Sequence, residues 1–83
     1  MQVAVDISLY PLDSDFIPPI KDVIARLSRH DEIDVEYNRM STQVRGDYDV
    51  VMPVLVDEIR TTFVDIPKAV FAIKILNNPV NRP

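Results

Sequence analysis

The chain contains no cysteine, which removes disulfides, iron–sulfur clusters, thiolate catalysis and zinc–thiolate sites from consideration. It has one histidine. His30 stands between Arg29 and Asp31 at the end of a predicted helix, where it reads as a solvated residue that offsets the helix dipole. No Ser-His-Asp arrangement can be built on it. Three tyrosines and three phenylalanines are too few and too scattered to define a cofactor box. No apolar run approaches the roughly 18–20 residues of a membrane span. Positive charge is also short: the net charge is −4, which disfavours phosphate-backbone binding and attachment to anionic membrane surfaces. Met1 runs directly into Gln2-Val3-Ala4-Val5-Asp6 with no basic leader, so no secretory signal is read and a cytoplasmic protein is expected. Neither a cofactor nor a metal is implied.

What is present is a regular alternation of short patterns. In 2–10, Val3, Val5, Ile7 and Leu9 face one way, while Ala4, Asp6, Ser8 and Tyr10 face the other, which predicts a strand. Pro11 ends it, and Asp13-Ser14-Asp15 is a loop expected to supply a helix N-cap. Over 16–29 the apolar residues Phe16, Ile17, Ile20, Val23, Ile24 and Leu27 form an amphipathic helical stripe, with Pro18 and Pro19 in the first turn. Residues 33–39 alternate again, and 42–45 form a shorter extended piece closed by Gly46, the only glycine. A second helix follows to about Phe63, with Val51, Val54, Leu55, Ile59 and Phe63 along one side. Asp47 or Asp49 caps it. Pro53 favours Asp49, because the proline then stays within the first turn. A last strand over 69–76 places Phe71, Ile73 and Ile75 on the core side, and 77–83 form a polar, proline-broken tail expected to be loose. The order β-α-β-β-α-β predicts one ferredoxin-like α+β sandwich over residues 1–76, with two helices on one face of a four-stranded antiparallel sheet. A chain of 83 residues buries only about 60–65% of its unfolded surface, so its core is thin and self-association is a natural remedy.

The uncovered sheet face then decides between functions. A base-stacking RNA module of this topology needs aromatic rings on the central strands, where this chain carries Ala4, Asp6, Ser8 and Gln43 or Thr42. An acylphosphatase needs a glycine-rich loop with an arginine after the first strand, where this chain has Leu12-Asp13-Ser14-Asp15-Phe16. Asp6 and Lys74 lie on neighbouring strands and can pair across them. The run Asp31-Glu32-Asp34-Glu36 reads as a solvated turn and strand face. None of this describes a catalyst, and no enzyme is expected.

Two segments carry a resemblance. The first is Val3-Ala4-Val5-Asp6-Ile7-Ser8-Leu9-Tyr10-Pro11-Leu12, of the type V-A-x-I-S-x-Y-P-L. The second is Tyr37-Asn38-Arg39-Met40-Ser41-Thr42-Gln43-Val44-Arg45-Gly46-Asp47, of the type Y-x-x-x-x-M-G-T-x-I/V-x-G-D/E. Val70 and Ile73-Lys74-Ile75 match the last strand. The chain resembles the small single-domain members of the thiamine-binding protein family, relatives of the thiamine/hydroxymethylpyrimidine-binding proteins. Ser41 stands where that family usually has glycine, which narrows a pocket or alters the turn. The resemblance implies a ferredoxin-like fold, assembly into dimers or tetramers through the sheets, and binding of thiamine or its pyrimidine moiety. A pyrimidine needs polar groups at its ring edge and flat apolar surface over its faces. Ser8, Asn38 and Thr42 are the candidates for the first and Met40 and Tyr10 for the second, with Asp6 or Glu36 facing a cationic thiazolium. The alternative is an interaction module whose open sheet face serves only oligomerisation.

Overall fold

Period-two alternation yields the first element where it was expected, as strand β1 (Gln2–Pro11). The structure, a computed structural model, describes residues 1–79. After β1 come helix α1 (Ile17–Ser28), strands β2 (Asp34–Tyr37) and β3 (Thr42–Asp47), helix α2 (Tyr48–Asp65) and strand β4 (Ala69–Asn77). The strands form one antiparallel sheet in the order β2-β3-β1-β4, the predicted ferredoxin-like sandwich. Val3, Val5 and Ile7 of β1 meet Val44 of β3, Leu27 of α1, and Val51 and Leu55 of α2 in a single core. None of the helices among the described residues is long and apolar enough to cross a membrane.

The first helix start differs from expectation, and the second falls on Asp47, the less favoured of its two candidate caps. The acidic loop does not cap α1. Asp13 instead accepts bonds from the Asp15 backbone N–H (3.2 Å) and the Ser14 hydroxyl (3.4 Å), and Phe16 occupies the N-cap position without a side-chain bond. Pro18 and Pro19 explain why no cap is needed: they delete two of the N–H groups that a helix start leaves unpaired. In α2 the cap is Asp47, whose carboxylate accepts from the Asp49 N–H at 3.2 Å. Asp47 is also the last residue of β3, paired with Gln2, so the sheet sets the start of the helix. Pro53 therefore falls beyond the first turn. It lies on the exposed side, where the carbonyl it leaves unpaired can bond water.

The β2–β3 connection lacks the Asn-Gly dipeptide of a common two-residue hairpin. Asn38 replaces it. Its backbone N–H donates to the Ser41 carbonyl (3.1 Å), while its side-chain oxygen accepts from the N–H groups of Met40 (2.7 Å) and Ser41 (3.1 Å). The side chain thus stands in for a backbone turn acceptor. No residue in this turn takes a positive φ, so serine at position 41 is unstrained, and its hydroxyl accepts from the Gln43 amide at 2.7 Å.

Gly46 does not close β3; it lies within the strand opposite Val3. A Cβ there would sit 3.1 Å from Cγ2 of Val51 and 3.4 Å from Cγ2 of Ile33. Val51 is fully buried and cannot swing away, so Gly46→Ala is expected to cost about 1–2 kcal/mol through overpacking. Urea unfolding checks this: a lowered midpoint with unchanged slope is expected, and a wild-type midpoint would refute the packing account.

His30 is not a free dipole-compensating residue. Its Nε2 lies 2.9 Å from Oε2 of Glu58 on α2. Arg26 reaches the same carboxylate at 2.7 Å, the Thr62 hydroxyl at 2.6 Å and Asp22 at 3.1 Å, joining α1 to α2. At the other end of the chain, Asn77 belongs to β4, and the Asn78 N–H donates to the Gln2 carbonyl at 2.9 Å. Residues 80–83 of the expected tail lie outside the described residues.

Candidate functional site

The main cavity opens on the helix side of the sheet, not on its uncovered face. It has a volume of about 460 Å³, within the roughly 300–1,000 Å³ range of small-molecule sites. The C-terminal half of β1 (from Ile7 to Pro11), the inner side of α1 (Ile20, Val23, Ile24, Leu27), Leu12 and Phe16 of the intervening loop, the 38–42 hairpin and Phe71 of β4 line it. The amphipathic stripe of α1 extends past the residues that β1 and α2 bury, and the β2–β3 turn stands beside the gap. Phe71 is held from behind by Phe63 of α2, their rings 5.6 Å apart.

Five of the six residues expected to hold a ligand border this cavity: Ser8, Tyr10, Asn38, Met40 and Thr42. They reach it from different sides. Thr42 pairs with Ile7 and Tyr37, so it shares the helix-side face and is 6% exposed. Ser8 and Tyr10 occupy the opposite positions of the β1 alternation, at the strand end that forms the cavity's edge. Asn38 is already committed through its side-chain oxygen to the turn, which leaves its amide NH₂ as the donor it can offer. Met40, at the tip of the same turn, is 85% exposed. The sixth residue, Asp6, does not border the cavity, nor does Glu36. In register Asp6 faces Gln43 on one side and Lys74 on the other, and Glu36 faces Gln43, which places both acids on the uncovered face. Among the described residues no salt bridge joins Asp6 to Lys74.

Ile20, Ile24, Phe16 and Leu12 also contribute to the apolar wall, and the sequence pattern assigns them to the helix stripe or the loop rather than to a site. One signal could have found them. Leu12 and Phe16 are large apolar residues flanking a short acidic loop with nothing in the sequence assigned to cover them. Arg39 also borders the cavity and is the sole charged residue among the described ones that do. No group of three or more metal-ligating side chains occurs among the described residues.

The chain matches the family model described as "YKOF-related Family" over residues 2–73. Its fold is that of several solved structures. A Streptococcus pneumoniae protein superposes with a TM-score of 0.87 at 21% identity, covering 96% of this chain and 90% of that one. A Thermotoga maritima protein described as a candidate for thiamine biosynthesis or salvage gives 0.82 at 21% identity, over 90% and 82% of the two chains. A Methanocaldococcus jannascii protein gives 0.81 at 24% identity, over 98% and 84%. No curated protein matches the chain.

Proposed function

The chain belongs to the YkoF-related family, and from that premise we propose that it is a non-enzymatic, oligomeric protein that binds a small heteroaromatic ligand, thiamine or its hydroxymethylpyrimidine moiety. The observation that carries the reading is the cavity of about 460 Å³ between α1, the end of β1 and the 38–42 hairpin. Its walls are mostly apolar, which suits the faces of a flat ring, and its polar groups come from two sides, Ser8 and Tyr10 on β1 and Asn38, Ser41 and Thr42 on the hairpin, where they can meet a ring edge. The Thermotoga maritima protein of the same fold, with its description in thiamine biosynthesis or salvage, supports the choice of ligand. The lining offers hydroxyl, amide and guanidinium groups rather than an acid–base pair, which favours binding over conversion.

Calorimetric titration with thiamine and with hydroxymethylpyrimidine tests the reading; no heat and no thermal shift at millimolar ligand would sink it. Met40 gives a sharper check. At its exposure, truncation removes almost no packing from the fold, yet a ligand in the cavity would bury it. Met40→Ala is expected to weaken binding about fivefold, the effect of losing roughly 1 kcal/mol of apolar contact, with the melting temperature unchanged.

Support for the oligomeric part comes from β4. It is an edge strand of nine residues whose apolar side chains stay exposed on both faces: Val70 and Leu76 on one, Ile73 and Ile75 on the other. Long apolar edges are rarely left bare. This feature also favours a second reading, in which the sheet serves an assembly alone; a ligand titration that is blank for a stable oligomer would select it.

A further inference from the structure

We propose that the cavity selects an anionic form of its ligand, a flat heteroaromatic ring carrying a phosphate monoester held by Arg39, and discriminates against the thiamine cation. The inference rests on the ligand reading above and narrows it. Arg39 lies in the β2–β3 turn and, among the described residues, is the only charged one bordering the cavity. Among the described residues its guanidinium has no salt bridge. That separates it from Arg26, which Asp22 and Glu58 hold. The two acids that would compensate a thiazolium, Asp6 and Glu36, lie across the sheet on the uncovered face. The loop acids nearest in sequence do not border the cavity either, and Asp13 already accepts from Asp15 and Ser14.

A cation entering this site would leave water for apolar walls and approach a positive charge with no carboxylate among the lining groups, which is unfavourable on both counts. A phosphate monoester reverses both. Its ring enters the apolar part, and its oxygens remain at the partly solvated mouth, where a planar guanidinium binds them through two parallel charge-assisted bonds. The Asn38 turn supports this geometry, because three hydrogen bonds fix the backbone on either side of Arg39.

The test compares three probes on the full chain: hydroxymethylpyrimidine, its O-phosphate ester, and thiamine. Each is titrated against wild type and Arg39→Gln, which keeps an amide donor but removes the charge. The phosphate ester is expected to bind wild type about tenfold more tightly than the alcohol, with thiamine weakest. In Arg39→Gln the advantage of the ester should fall to about twofold, and in wild type it should shrink between low and high salt, since the arginine is exposed. Arg39 is solvent-exposed at a turn, and an unchanged thermal melt confirms that the variant folds. If thiamine binds at least as tightly as the alcohol, or the ester keeps its advantage in Arg39→Gln, the charge assignment is overturned while the cavity remains a ligand site. If none of the three binds, the ligand reading and this inference fall together.

Discussion

Arg26→Ala is expected to remove about 2–4 kcal/mol of stability, a large share of the roughly 4–12 kcal/mol available to a chain of this size. The side chain is 11% exposed and the carboxylate it meets, on Glu58, 15%, so water does little to screen the pair. One terminal nitrogen of the guanidinium binds Oε1 of Glu58 at 2.7 Å and its backbone carbonyl at 3.1 Å; the other donates to the Thr62 hydroxyl at 2.6 Å. Truncation leaves the Glu58 carboxylate and a buried hydroxyl facing a void, with His30 the one side chain among the described residues still paired with the acid. The cost is that of stranding these groups, not the net worth of the ion pair, and this distinction supplies the control. Replacing both charges at once, as Arg26→Met with Glu58→Leu, should recover about half of that loss or more, because an apolar pair of similar volume leaves no stranded carboxylate and only the Thr62 hydroxyl loses its partner. Urea unfolding of the two single variants and the double measures the coupling. A single-variant loss below about 0.5 kcal/mol would show that the clamp contributes nothing.

That clamp also marks where the sequence was silent. Arg26, His30 and Glu58 sit at compatible positions on two helices, but the contact of His30 with a residue 28 positions away depends on how the helices cross, which no local pattern encodes. Local patterns did encode the strands. The alternation of Val3, Val5, Ile7 and Leu9 predicted the buried face of β1 correctly, because one strand face against a core leaves little freedom. The same logic predicted the side of β4 on which Phe71, Ile73 and Ile75 lie, and register with Leu9, Ile7 and Val5 places them there. It did not predict that Ile73 and Ile75 would be exposed. Alternation reports the side a residue faces; whether a helix covers that side depends on where the helices pack, and here their apolar residues meet chiefly β1 and β3. The cavity was illegible for a related reason. Its rim residues were named because the Asn38 turn and β1 carry recognisable motifs, but its walls are ordinary core residues of α1, and a gap between packed elements has no sequence of its own.

The exposed β4 edge leads to the second large effect. Ile73 and Ile75 are 37% and 49% exposed, so lysine at either position can extend into water without strain on the isolated domain. In an assembly built on β4, the same lysines would be forced into an apolar contact and beside one another, which is costly twice over. The opposite edge shows what a protected strand looks like. β2 has four residues, of which Asp34 and Glu36 are charged, the short and charged form that discourages pairing. β4 has nine, with Lys74 its one charge. The double variant Ile73→Lys/Ile75→Lys is therefore expected to convert a dimeric or larger protein into a monomer of unchanged helix content, read by size exclusion with light scattering and by circular dichroism. Lysines at Asp34 and Glu36 should leave the assembly intact, which distinguishes loss of a specific edge contact from a general change in charge. A wild-type protein that is monomeric at about 100 μM, or a double variant that keeps the wild-type mass, would remove β4 as the interface. A monomeric wild type would also mean that the thin core is stabilised within one chain, with the Arg26–Glu58 clamp between the helices accounting for a larger share of the stability.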